Sequence, residues 1–186
     1  MNALLERTLM INLICSTVVF YVGARIYILP RVGKTNARTI LIPILILHSM
    51  RHLGLMFLAK GTTYTGMPTR FAYPAAIGDL VAAVLAFVAI FAVAGNRDGS
   101  RFLVWLFNIV GTADLLLAIT LATIYGAPDF MGAAYWIPAF WVPALLVSHY
   151  VIFTVLLDGR RAQMHEAFKR RIDDPGVPRV TRAGAA

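Results

Sequence analysis

The chain has 186 residues, of which 59% are hydrophobic and 14% charged, with a formal net charge of +8 and a mean hydropathy of +0.73. A water-soluble domain of this size needs more polar surface than that composition supplies, so a soluble globular fold is excluded. The positive charge does not point to nucleic acid, because the basic residues flank apolar runs and form no reader motif.

Five apolar runs lie at about 8–29, 38–59, 74–94, 102–125 and 135–157. Each is long enough for a helix to cross a hydrocarbon core about 30 Å thick, which takes roughly 20 residues. Backbone inside lipid has to pair internally, so the runs are predicted as helices. The expected class is all-α: an integral membrane bundle of five transmembrane helices in one domain, 1–157, followed by a basic tail, 158–186.

The first run is too long for a signal peptide, and Gly23-Ala24-Arg25 makes a poor cleavage site. Its Cys15 is the single cysteine of the chain and reads as a small apolar packing residue. The second run contains ILILHSMRHLGLMF, with His48, Arg51 and His52 at its middle. On an α-helix these three fall at about 0°, 300° and 40°, one arc of about 100°. Lipid cannot solvate that face, so it is expected to point into the bundle. The next connection, KGTTYTGMPTRFAY (60–73), reads as an interfacial loop rather than a lid. Its Tyr64, Phe71 and Tyr73 suit an aromatic belt.

The third run carries Asp79 beside Ala75, Ala82, Ala83 and Ala86, and the fourth carries Asp114 beside Gly111, Ala118 and Ala122. Small residues mark close helix contacts in membranes, so both acids are expected on packed faces. The connection GAPDFMGAAYW has no basic residue, and Tyr135, Trp136 and Trp141 mark the outer end of the fifth run. Pro43, Pro138 and Pro143 are expected to kink or loosen the second and fifth spans. His149 lies deep in the fifth.

After Leu157 the composition changes. In DGRRAQMHEAFKRRI, Met164, Phe168 and Ile172 recur every four residues among Arg160, Arg161, Lys169, Arg170 and Arg171. This pattern predicts a short basic amphipathic segment on anionic lipid head groups. Asp173-Asp174-Pro175 ends it, and the remainder is expected to be disordered. His165 belongs to this tail and not to a buried site. Thirteen Lys and Arg flank the spans on the C-terminal side against three (Arg7, Lys60, Arg70) on the other. That asymmetry predicts an N-out, C-in topology in an inner membrane.

Counting about 1.5 Å per residue from the basic end of each span puts the buried polar residues in two layers. Arg51, His52, Asp79 and Asp114 form one, at roughly 19–23 Å, and His48 and His149 the other, at roughly 12–15 Å, with Ser148 and Asn108 near. Four readings suit this cluster. A neutral Arg/Asp network pins helices together and does nothing else. A metal site uses the i, i+4 pair His48 and His52 with Asp79, Asp114 or His149 around zinc or iron, although Arg51 repels a cation. A haem uses His48 and His149 as axial ligands, against large neighbours that leave no obvious slot. The favoured reading is a transport-like or sensory module, more than an enzyme, in which His48, Arg51, His52, Asp79, Asp114 and His149 bind a proton or small ligand; the rival is a metal-dependent membrane enzyme built on the zinc or iron site. Retinal chemistry is not expected, since no span holds a lysine.

WLFNIVGTADLLLAITLATIYG (105–126) and IPAFWVPALLVSHYVIF (137–153) together resemble a family of small multi-pass bacterial membrane proteins. In that family an Asp lies in a Gly-containing span and a Pro-rich span ends in His. The matching positions are Asn108, Gly111, Asp114, Pro138, Pro143 and His149. The resemblance implies a bacterial membrane setting and draws attention to Asp114 and His149, but it carries no activity.

Overall fold

The computed structural model describes residues 3–173, with side chains described for 7–159. Five helices in it are long and apolar enough to cross a membrane: Arg7–Arg31, Ala37–Leu58, Thr69–Ala94, Ser100–Ile124 and Gly132–Gly159. No strand occurs among the described residues. Large apolar side chains such as Ile11, Val19, Val84, Phe87, Phe91, Ile109 and Leu116 face outward, as a lipid-facing surface requires.

Helix α1 (Ala3–Gly23) runs into a π-helical turn, Ala24–Ile28, and a short 3-10 turn, Leu29–Arg31. Helix α2 (Ala37–Ser49) is capped by the Asn36 side chain, which accepts from the Arg38 amide. It tolerates Pro43 and then changes winding: Met50–Leu58 continue as a 3-10 helix. Nine residues is long for 3-10 winding. At about 2.0 Å per residue the segment covers roughly 18 Å, where α winding would cover about 14 Å. Helix α3 (Thr69–Ala94) starts five residues before the expected boundary, because extended Pro68 sets up its first turn and accepts from the Phe71 and Ala72 amides. Helix α4 (Ser100–Ile124) follows Gly99, whose φ of +87° suits only glycine without strain.

The connection to the last helix passes through two short 3-10 turns and a π-helical turn, Ile137–Trp141. Two prolines shape this second π turn. Pro143 has no N–H to offer Ala139, four residues back. The Ser16 hydroxyl of α1 donates to the Ala139 carbonyl instead, at 2.8 Å, the kind of repair that lets membrane helices keep proline. Helix α5 (Val142–Asp173) then runs as one element, where a span followed by a separate surface segment was expected. The surface role assigned to Arg160, Arg161, Lys169, Arg170 and Arg171 rests on side chains outside the described residues.

Loop 60–73 pairs with the α4–α5 connection. The Tyr64 amide donates to the Phe130 carbonyl at 2.9 Å and the Ala134 amide to the Thr62 carbonyl at 3.0 Å. Helix α1 packs mainly on α5 and the turn before it, held by Asn12 to the Tyr135 hydroxyl and by the Phe20–Phe140 ring contact. Cys15 does not pack; it is exposed.

The core is divided. Leu45, Ala86, Ala89, Val104, Phe107, Val151 and Ile152 form an apolar cluster toward the basic end. Phe57, Phe71, Ala75, Ala122, Met131 and Ile137 form a second toward the other. The alanines of α3 let α2 and α4 approach closely. Along the second, third and fourth spans the polar residues fall between the two clusters, while on the fifth Ser148 and His149 sit between Val147 and Val151 of the first.

Candidate functional site: a buried arginine between two aspartates

Arg51 is fully buried and organises this polar layer. Its Nε donates to Asp79 Oδ1 at 2.7 Å and its Nη2 to Asp114 Oδ2 at 2.5 Å. Its Nη1 reaches the Gly111 carbonyl at 3.1 Å and His149 Nε2 at 3.3 Å. One guanidinium from the 3-10 segment that continues α2 thereby ties α3, α4 and α5. Charged pairs of this kind are the strong hydrogen bonds.

The network also assigns protons. Arg51 can only donate, so His149 Nε2 accepts and the ring carries its hydrogen on Nδ1. That nitrogen lies 2.6 Å from Asn108 Oδ1, and Asn108 Nδ2 donates back to the His149 carbonyl at 3.3 Å. His149 is thus held as a neutral imidazole. His48 Nε2 lies 2.8 Å from Ser148 Oγ, which in turn donates to the Leu145 carbonyl at 2.9 Å. Since the one hydroxyl proton is spent on Leu145, His48 Nε2 carries the hydrogen, and its Nδ1 is left buried without a partner. Phe107 packs edge-on against His48 and stacks on His149.

The chain makes room for this through three glycines. A Cβ at Gly54 would lie 2.7 Å from Cβ and Cγ of Asp79, and one at Gly78 would lie 2.5 Å from Asp114 Cγ. A Cβ at Gly111 would lie 2.7 Å from His149 Cε1 and 3.0 Å from Arg51 Nη1. At each glycine at least one of these distances is under 3.0 Å, closer than real Cβ atoms come, so each holds open the space that a polar side chain fills. Gly54 and Gly78 had no place in the sequence reading. Their signal was available: each span bearing Arg51, Asp79 or Asp114 has a glycine within one turn of it.

Of the six expected site residues, Arg51, Asp79, Asp114 and His149 meet directly. His48 lies against His149 with ring centroids 4.3 Å apart. His52 does not join them. It is exposed, and its Nδ1 pairs locally with the Ser49 carbonyl at 3.0 Å. The change of winding explains this. At about 120° per residue from Met50 onward, Arg51 stays within about 40° of His48, while His52 swings to about 80°. The two expected layers therefore become one, bridged by Arg51.

The same geometry bears on the two cofactor alternatives. With His52 turned out, the pair meant for zinc or iron is gone, and the described residues hold no group of three or more His, Cys, Asp or Glu side chains placed for a metal. The rings of His48 and His149 touch, with no gap between them for a porphyrin. What remains is a compact network that can hold, exchange or relocate protons.

A family model described as a domain of unknown function, DUF8737, matches residues 8–157, which takes in every residue of this centre and all but the outermost few residues of the five spans. No curated protein and no solved structure matches the chain.

Proposed function

The chain belongs to the DUF8737 family, and we propose that its Arg51 centre binds a proton inside a multi-pass protein of the bacterial inner membrane, N-out and C-in, acting as a transport-like or sensory module rather than an enzyme. One observation carries this reading. Two carboxylates, Asp79 and Asp114, face a single guanidinium; hydrogen bonding leaves the His149 imidazole neutral, and a second proton on His48 would sit on a buried Nδ1 with no acceptor. With both acids ionised the centre holds one negative charge that nothing in it balances. Unpaired buried charge costs several kcal/mol, on the order of 3–5. A proton on the carboxylate pair removes that charge, and ionisable groups at such depth are functional by default.

The two acids come from different helices, which gives the proton something to move. Without it, Arg51 grips α3 and α4 together. With it, one carboxylate loses its claim on the guanidinium, and the α3–α4 contact loosens on that side. A purely structural fastening needs only one acid for one arginine, so the second acid favours the functional reading.

Infrared difference spectra of the purified protein between acidic and alkaline buffer test it. The expected result is a protonated-carboxyl C=O band that appears with acid and vanishes in both Asp79→Asn and Asp114→Asn. Absence of such a band, or its survival in both variants, overturns the reading.

A further inference from the structure

Between α1 and the α2/α5 pair lies a groove of about 570 Å³, lined by α1, both π-helical turns, Ile44 and Leu47 of α2, and Ala144, Val147, Ser148 and Val151 of α5. We propose that this groove is a binding site for a neutral, long-chain amphiphile of the bilayer, seated with a hydroxyl head group on Ser148 and its chain along α1. The proposal goes beyond the proton-binding reading and does not depend on it.

Four observations carry it. The volume falls in the range of small-molecule sites, about 300–1,000 Å³. The lining has no charged side chain, so a phosphate head group finds no counter-ion there, whereas a neutral one loses nothing. Both π-helical turns of the described chain border this one groove: Ala24, Tyr27 and Ile28 come from the first, Phe140 and Trp141 from the second. Such turns are rare and concentrate at functional sites. Finally, the apolar wall is interrupted by Ser148, which is 8% exposed and hydrogen-bonded to His48. Ser148 Oγ donates to Leu145 and accepts from His48. One lone pair is left over, the complement of a hydroxyl donor. The groove thus ends on Ser148, whose partner His48 packs its ring against His149 of the buried centre.

Trp141 on the groove wall reports occupancy. The test uses the full-length protein with Trp105→Phe and Trp136→Phe, reconstituted in unbrominated lipid, and reads Trp141 fluorescence. The probe is a long-chain fatty alcohol brominated along its chain, and the control is a phospholipid with the same brominated chain. The alcohol is expected to quench saturably, at a mole fraction about tenfold below that at which the phospholipid quenches to the same extent. Gly23→Leu should abolish the saturable component. A Cβ at Gly23 meets nothing within 4 Å, so the leucine side chain starts from open space on the groove wall, and an unchanged melting temperature verifies the fold of the variant. Ser148→Ala should weaken the alcohol about fivefold, the value of one hydrogen bond at about 1 kcal/mol. Quenching that is linear and equal for both probes, or that survives Gly23→Leu, overturns the proposal. The carboxyl band is read on the same protein, so either idea can fail while the other stands.

Discussion

At the scale of single residues, the centre's charge inventory sets an order of severity. Arg51→Gln strands two carboxylates with no cation and should destabilise the protein by about 3–5 kcal/mol. Asp114→Asn leaves Arg51 matched to Asp79, one charge against one, and should cost about 1 kcal/mol, a net hydrogen bond. Replacing both acids by Asn strands the arginine and should be as severe as Arg51→Gln. Asp79→Asn added to Arg51→Gln should recover part of that loss. Denaturation of the four variants in one detergent checks the series; equal, additive costs for all of them would show that the three residues do not share a charge balance. The glycines give a second contrast. Gly78→Ala drives a methyl into Asp114 and should cost about 1–3 kcal/mol as overpacking. Gly23→Ala meets open space and should be neutral or stabilise by about 0.5–1 kcal/mol, the helix preference of alanine over glycine. Thermal melts of the two variants compare them directly.

At the scale of elements, proline and its repair make a closed accounting. Ser16→Ala leaves the Ala139 carbonyl without the hydroxyl that reaches it and should cost about 1 kcal/mol, near what hydrogen bonds between membrane helices contribute. In a Pro143→Ala background position 143 regains an amide, so the same Ser16→Ala change should cost almost nothing. A double-mutant cycle with no coupling between positions 16 and 143 would sink this account. Winding is also where sequence reading ran out. The lengths and hydropathy of the five spans were legible because lipid leaves helices no alternative. The pairing of Arg51 with Asp79 and Asp114 was legible because buried charges seek each other. His52 was misplaced because its position assumed 100° per residue throughout, and no residue in MRHLGLMFL announces 3-10 winding. The close approaches at Gly54 and Gly78 depend on which helices are neighbours, and spacing within one span does not reveal that.

For the whole molecule, the division of basic residues argues an N-out, C-in placement. In a Cys15→Ala background, Thr65→Cys should react with a membrane-impermeant thiol reagent in intact cells, and Ser100→Cys only after permeabilisation. The reverse pattern would invert the proposed topology. The polar layer was half legible: its depth could be counted along the spans, but the merging of its two tiers needed the arginine's reach to three neighbouring helices. The docking of α1 has one more consequence, and it concerns biogenesis. Among the five described spans the earliest packs mainly on the latest, so spans entering the bilayer in order leave α1 waiting while the next four are synthesised. Its anchors, Asn12 to Tyr135 and Ser16 to Ala139, both join residues 123 positions apart. Closing so long a loop is slow compared with neighbouring-helix contacts. The Arg51 centre draws on the second to fifth spans alone, so it can assemble before α1 arrives. Docking of α1 is then a later, separate step in which it closes over a polar core already in place.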